Sequence, residues 1–291
     1  MSSGIMEVMT ISNFALNDGT VMPQLGLGTY KIAPDKVESI VRTAIELGYR
    51  HFDTARLYDN EEAVGRALNN AFKAGDVARE DVYVVSKLWH DQHGTDEAKQ
   101  GFAQSLRKLD VGYLDNFLIH WPYPQGGRFV ETWETLLELR ETEELVSAGV
   151  ANFNAEHLEK LVEATGVAPS LNQIELHPGF HQPEQLEANE KHGTRVEAWS
   201  PLARGIVLNN PRLGEIAETT GATVAQVVLR YLLDKGVSVV PKASSRERLQ
   251  ENLGALGVEL SQADTSDIDA LAELPGFGRI FGDPEIFPHE K

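Results

Sequence analysis

Four side chains in the first half of the chain have the chemistry of proton transfer. They are Asp53 and Tyr58 in His51-Phe-Asp-Thr-Ala-Arg-Leu-Tyr58, Lys87 in Val84-Val-Ser-Lys87, and His120 in Phe117-Leu-Ile-His120. Each falls at or just after a short apolar run rich in β-branched or aromatic residues, where a buried strand ends. The steps from Tyr58 to Lys87 and from Lys87 to His120 are each about one strand–loop–helix unit. A parallel barrel places successive strand ends side by side around one rim, so the four side chains can converge there. A phenol alone is a reluctant acid, with a pKa near ~10. An adjacent ammonium stabilises the phenolate and is expected to lower that value, and Lys87 can supply it. Asp53 would balance the buried Lys87, and His120 could donate a hydrogen bond to a substrate carbonyl oxygen. Such an assembly protonates an oxygen while something else attacks the carbon, and a nicotinamide hydride is one candidate attacker. Taken singly, each residue has an ordinary reading: a strand-end cap, a packing aromatic, a solvated lysine, a structural histidine. Their recurrence at successive strand ends sets them apart.

The rest of the sequence supplies elements able to hold them. Ala15-Leu-Asn-Asp-Gly-Thr-Val-Met-Pro23 reads as a hairpin turning at Asp18-Gly19. Leu25-Gly-Leu-Gly-Thr29 follows as a first strand, and helical spacing runs from Pro34 to Leu47 before Gly48. Further strands are predicted over 50–54, 82–86, 115–120, 148–152, 171–175, 195–199 and 237–241. Helices are predicted over 60–73, 96–109, 131–146, 155–164, 183–191, 223–235 and 246–254. This alternation implies an α/β (β/α)8 TIM barrel as a single domain over 1–291. An open doubly wound sheet would show a glycine-rich dinucleotide turn opening a helix. No helix follows Leu25-Gly-Leu-Gly-Thr29, and the barrel is preferred. Residues 1–10 are expected to be a disordered extension. A further helix is predicted over 264–274, and the Gly/Pro/Phe-rich tail, 275–291, is expected to close the active-site face.

Composition narrows the partners. The chain has 291 residues and a net charge of -18, which argues against nucleic acid and anionic membranes. No apolar run approaches the ~18 residues of a membrane span. The N-terminus lacks the basic region of a secretory leader, so a cytoplasmic protein is expected. Cysteine is absent, which excludes disulfides and thiolate metal sites; no metal is expected.

The second half reads as a ligand cradle. Asn152 and Gln173 are amides on successive strand ends, matched to the two hydrogen-bonding faces of a carboxamide. Trp199 offers a flat face for stacking. After the eighth predicted strand, Lys242, Arg246 and Arg248 open a helix, where phosphate sites in barrels lie, and a guanidinium can clamp a phosphate. Tyr30, Trp89, Trp121 and Phe153 are expected to line a substrate pocket, with Phe281 and Ile286 of the tail closing it. Arg56 is a surface arginine or a site for a carboxylate.

Together these motifs resemble the aldo-keto reductases. The resemblance is carried by Asp53-Thr-Ala-x-x-Tyr58-x-Asn-Glu61, Ser86-Lys87, Leu118-Ile-His120-Trp121-Pro122 and Gly149-Val-Ala-Asn-Phe153. Asn172-Gln-Ile-Glu-Leu-His-Pro178, Ala198-Trp-Ser-Pro-Leu202, and Pro241-Lys242 with Arg248, Glu251 and Asn252 add to it. It covers the chain from about residue 12 onward and is most similar to the bacterial 2,5-diketo-gluconate and methylglyoxal-type reductases. It implies a TIM barrel that binds NADPH and reduces aldehydes and ketones. Tyr58 is then the proton donor, Asp53 and Lys87 tune it, and His120 orients the carbonyl. The cofactor contacts carried over are Asn152, Gln173, Trp199, Ser200, Leu202, Lys242, Ser244, Arg248, Glu251 and Asn252, the last two toward adenine. Two departures bear on the cofactor. Ala151 replaces a serine of the pattern, as does Ala243. Both are expected to weaken binding or soften the preference, leaving NADH as a weaker substitute. A small-molecule carbonyl substrate and a monomer are the family expectations. Two other readings stay open: a non-catalytic NADPH-binding subunit or redox sensor, and an aldolase using Lys87 as a Schiff-base amine.

Overall fold

The computed structural model describes residues 10–287. Apart from Thr10, the expected N-terminal extension lies outside these residues, as does the tail beyond Phe287.

Two short strands, β1 (Asn13–Ala15) and β2 (Val21–Pro23), form the expected antiparallel hairpin. Eight parallel strands follow: β3 (Leu27–Gly28), β4 (His51–Asp53), β5 (Tyr83–Leu88), β6 (Leu114–Ile119), β7 (Leu145–Ala151), β8 (Leu171–Glu175), β9 (Arg195–Trp199) and β10 (Ser238–Val239). Each pairs with its neighbour in chain order. The two ends meet through parallel bridges, Leu25 with Val239 and Gly28 with Lys242. The chain is therefore a closed (β/α)8 barrel. Closure also explains the glycines of the first strand: a Cβ on Gly28 would stand 2.6 Å from the Val240 carbonyl oxygen.

Helices wrap the outside, beginning with α1 (Pro34–Glu46), α2 (Glu61–Ala74) and α3 (Thr95–Leu109). In α1, proline stands at the start, and Val37, Ile40, Val41, Ala44 and Ile45 are the buried positions, an apolar stripe at helical period. Next come α4 (Phe129–Arg140), α5 (Ala155–Thr165), α6 (Pro183–Lys191), α7 (Pro211–Thr220), α8 (Val224–Asp234), α9 (Arg246–Gly254) and α10 (Gln262–Asp269).

Alternation along the strands sorts residues into two populations. On β5, Val84 joins the outer core between sheet and helices, while Tyr83 and Val85 join the inner cluster. Lys87 follows these two by the same period and so points inward. The hairpin contributes Leu16 and Met22 to that inner cluster, where they meet Leu118, Ala151 and Leu171. It thus plugs one end of the barrel with apolar side chains and leaves the opposite rim for polar ones.

Two expectations need correction. The helix predicted over 131–146 ends at Arg140, and β7 begins at Leu145. Thr142 turns the chain back, its N–H and hydroxyl both donating to Leu139 O, and pairing with β6 recruits Leu145 into the sheet. Helix α7 has no counterpart among the predicted helices, although Asn210 caps it and Pro211 opens it.

Candidate active site

Asp53 closes β4, Lys87 lies near the end of β5, and His120 follows β6. Tyr58 sits in a single 3-10 turn, Arg56–Tyr58, between β4 and α2. That turn is held from below. The Asn60 side chain donates to Thr29 O at 2.9 Å and accepts from the Thr54 hydroxyl at 2.9 Å. Glu61, also buried, accepts from Ser86 at 2.6 Å. In the sequence these two residues read as part of the motif around Tyr58 and as the start of a helix, with no role assigned; in the fold they clamp the turn that carries Tyr58.

The convergence is close. Lys87 Nζ donates to Asp53 Oδ2 at 2.5 Å, to Thr54 O at 2.9 Å and to the Tyr58 hydroxyl at 3.3 Å. Lys87 is fully buried. The Tyr58 and His120 rings meet edge to face, 5.8 Å apart. The structure thus brings all four residues together.

Their electrostatics differ from the sequence expectation in one respect. Lys87 does not lower the Tyr58 pKa: burial first, then the Asp53 carboxylate, raise it well above its ordinary value of 10.0. The reason is geometric, because the ammonium lies closer to Asp53 than to the phenol, and its charge is largely neutralised there. Tyr58 is therefore a protonated phenol, suited to giving a proton. Burial also holds the His120 imidazole well below its ordinary value of 6.5, with help from Lys87 and His90. A neutral imidazole can donate one hydrogen bond to a carbonyl oxygen without adding charge.

Around this centre lies a cavity of about 280 Å³, open at the rim. Tyr30, Trp89 and Trp121 line it. Phe153 does not: its ring is buried behind the strand end, packed edge to face on Phe129 and His157. The tail closes the cavity, but with a different residue from the one expected. Phe281 and Phe287 line it, whereas Ile286 is 54% exposed. Phe287 packs 4.4 Å from Trp121, and Phe281 packs 5.9 Å from both Trp121 and Trp199. Arg56 pairs with Asp91 at 2.5 Å and is a surface residue.

The cofactor half is brought together in part. Asn152, Gln173, Trp199, Ser200 and Lys242 all line the cavity. Asn152 adopts the left-handed region, with φ of 64°. It donates to His120 O at 2.9 Å, and the Trp199 indole N–H donates to its side-chain oxygen at 2.8 Å. Gln173 Nε2 donates to Asp53 Oδ2 at 2.8 Å and to Glu197 Oε1 at 2.7 Å. Gln173 thus has an amide oxygen left to accept, and Asn152 has a second N–H left to give. An acceptor and a donor on adjacent strand ends fit a carboxamide.

Leu202, Ser244, Arg248, Glu251 and Asn252 are not among the residues lining the cavity. Ser244 is exposed on the approach to α9 and Arg248 in its first turn, and Asn252 is buried near the Tyr49 side chain. Arg246 leaves the expected basic cluster, because it pairs with Glu46 at 2.8 Å. Arg204, unremarked in the sequence, takes a place on the wall beside Lys242. Its guanidinium lies over the Phe281 ring, 4.8 Å from the centroid. Both alanine departures face the protein rather than the cavity: Ala151 packs in the inner cluster and Ala243 in the outer core.

The chain as a whole is similar to known proteins. The sequence model of the aldo/keto reductase family matches residues 22–273. The chain belongs to the aldo/keto reductase family. It is 42% identical to an aldo-keto reductase of Mycolicibacterium smegmatis over 272 residues, 94% of this chain and 96% of the relative. It is 40% identical to methylglyoxal reductase DkgA of Escherichia coli O157:H7, with 94% and 96% covered. A mutant of Gox0644 solved in complex with NADPH superposes with a TM-score of 0.88 at 41% identity, covering 95% of this chain and 98% of that one.

Proposed function

We propose that the protein is an NADPH-dependent reductase of aldehydes and ketones, with Tyr58 as proton donor. The observation that carries this reading is the contact of the buried Lys87 ammonium with both Asp53 and the Tyr58 hydroxyl, at 2.5 and 3.3 Å, beside a neutral His120. A carbonyl oxygen held between Tyr58 and His120 is polarised by two donors. When bound, NADPH supplies a hydride from its nicotinamide to the carbonyl carbon. As charge develops on the oxygen, the Tyr58 O–H bond breaks and its proton completes the alcohol. The phenolate left behind accepts a hydrogen bond from Lys87, whose nitrogen stands 3.3 Å away. Trp199 offers a stacking face, and Asn152 and Gln173 take the carboxamide. Lys242, with Arg204 and the exposed Arg248, suits the phosphates. No acidic partner holds any of the three among the described residues.

The aromatic wall of Tyr30, Trp89, Trp121, Phe281 and Phe287 favours compact substrates with an apolar face, such as small dicarbonyls, keto-sugars in open form and aryl carbonyls. The name of the Escherichia coli relative supports the first of these. A Schiff-base role is not favoured, since the Lys87 nitrogen is an ammonium with three acceptors around it. The test follows NADPH absorbance with methylglyoxal, phenylglyoxal, diacetyl and an aldose. Wild type is expected to turn over at least one, and Tyr58→Phe to lower kcat by ~10²–10⁴-fold with NADPH binding retained. NADPH binding without turnover in the wild type would refute the reading.

A further inference from the structure

Glu197 lies in the barrel interior below the site and takes no part in the chemistry described so far. It is fully buried on β9, between Val196 and Ala198 of the outer core, and so points inward. Its Oε1 accepts from Gln173 Nε2 at 2.7 Å, the same nitrogen that donates to Asp53 Oδ2 at 2.8 Å. Its Oε2 is 2.9 Å from the Ser238 hydroxyl and 3.7 Å from His51 Nδ1. Asp53, Tyr58 and Tyr83 also lie close enough to feel its charge.

The hydrogen-bond inventory assigns protons here. Carboxylate oxygens accept, so an amide placed between two of them must turn its nitrogen toward both. Gln173 therefore presents Oε1 to the cavity. The Ser238 hydroxyl also lies 3.2 Å from Gln24 O, a carbonyl that can only accept. The hydroxyl has one proton for two acceptors, Glu197 Oε2 at 2.9 Å and Gln24 O at 3.2 Å, and a proton on Glu197 Oε2 would let both contacts form. His51 Nδ1 stands beyond hydrogen-bond reach of Glu197 Oε2, at 3.7 Å. That nitrogen faces Pro23 O at 3.2 Å, another pure acceptor, and the His51 Nε2 has no partner. Lys87, the ammonium nearby, is already paired with Asp53. A second buried anion would stand uncompensated, which burial strongly disfavours. Burial correspondingly pushes the Glu197 carboxyl above its ordinary range.

We propose that Glu197 is a neutral carboxylic acid with its proton on Oε2, and that it is a positioning residue: it anchors Gln173 with the amide oxygen facing the cavity and leaves Asp53 as the one anion facing Lys87. The protonation state stands by itself. The consequence for ligand binding rests on the NADPH reading.

The experiment compares wild type, E197Q and E197A by infrared spectroscopy at neutral pH, thermal unfolding, and fluorescence titration with NADPH. The wild type shows the carbonyl stretch of a protonated carboxylic acid, and E197Q lacks it. E197Q, a neutral isostere able to donate to Ser238 and accept from Gln173, unfolds at nearly the wild-type temperature. Its NADPH Kd stays within about twofold of the wild type, whereas E197A, which frees Gln173, raises Kd about tenfold through loss of one anchoring hydrogen bond. Absence of a protonated-acid band that disappears in E197Q overturns the proposal. So does misfolding of E197Q, since a neutral acid should tolerate its amide, or a Kd shift in E197Q equal to that in E197A. If wild type fails to bind NADPH, the reductase reading falls, while the infrared and unfolding results still decide the state of Glu197.

Discussion

Removing Lys87 should damage this protein twice, and the two kinds of damage can be separated. Its side chain is wholly buried and that of Asp53 is only 4% exposed, with 2.5 Å between the charged atoms. In Lys87→Met, Asp53 keeps only the Gln173 N–H, at 2.8 Å. Leaving one member of a buried pair without its partner costs ~3–5 kcal/mol, so ~4 kcal/mol is expected for this variant. Asp53→Asn leaves the ammonium with Thr54 O and the Tyr58 hydroxyl, and about 3 kcal/mol is expected on the same grounds. The double variant has no charge left on either member of the pair, and the introduced amide can still accept from Gln173. It should be destabilised by only about 3 kcal/mol, well short of the sum, giving a coupling energy of about 4 kcal/mol. Urea unfolding followed by tryptophan fluorescence and by circular dichroism together measures this, since a barrel of this size need not unfold in one step. Turnover should fall ~10²–10⁴-fold in all three variants, because each disturbs the Tyr58 donor. Stability would recover in the double variant and activity would not. If the double variant loses the sum of the singles to within ~0.5 kcal/mol, the pair is not coupled and the electrostatic account of the site fails.

Two further outcomes follow from particular contacts. His93 and His157 are both buried, and burial holds them at about 3 and about 4, against 6.5 ordinarily. The unfolded chain therefore binds more protons than the folded one as pH falls. The stability from keeping these rings neutral is full above 6.5, and it drains away below that, down to about 4 for His157 and about 3 for His93. Two such groups approach ~2.7 kcal/mol per pH unit. A urea midpoint unchanged between about pH 7 and about pH 5 would contradict this. In the tail, Phe287→Ala removes the ring that packs on Trp121 at 4.4 Å. It should raise KM for aryl carbonyls about tenfold, the loss of one aromatic contact of ~1–1.5 kcal/mol, with NADPH Kd unchanged. A rise in Kd without a rise in KM would place Phe287 on the cofactor rather than the substrate.

Much of the barrel is legible because its signals are local. Apolar runs of β-branched or aromatic residues ending at Asp53, Lys87 and His120, and helices with an apolar stripe such as α1, are local patterns of the chain itself. Where packing competes with local preference the sequence misleads. The residues after Arg140 look helical until β6 offers Leu145 a strand partner. Phe153, beside a conspicuous Asn152, looks like a pocket aromatic until the left-handed backbone at Asn152 breaks the strand alternation and sends its ring to Phe129.

The types and order of the chemical groups are properties of the sequence alone: a phenol, an ammonium, an imidazole and an acid, one strand end apart. So is the neighbouring pair of amides, and with them the kind of reaction expected. Their charge states belong to the fold. Whether Lys87 serves Tyr58 or Asp53 depends on fractions of an ångström, and the shorter contact to Asp53 leaves Tyr58 protonated. The same holds for the helpers. Glu61, Glu197, Arg204 and Phe287 stand far from their partners in sequence or bear no motif, and only closure of the barrel and the return of the tail bring them to the site. Burial and close contact set protonation and orientation, and both are created by tertiary packing.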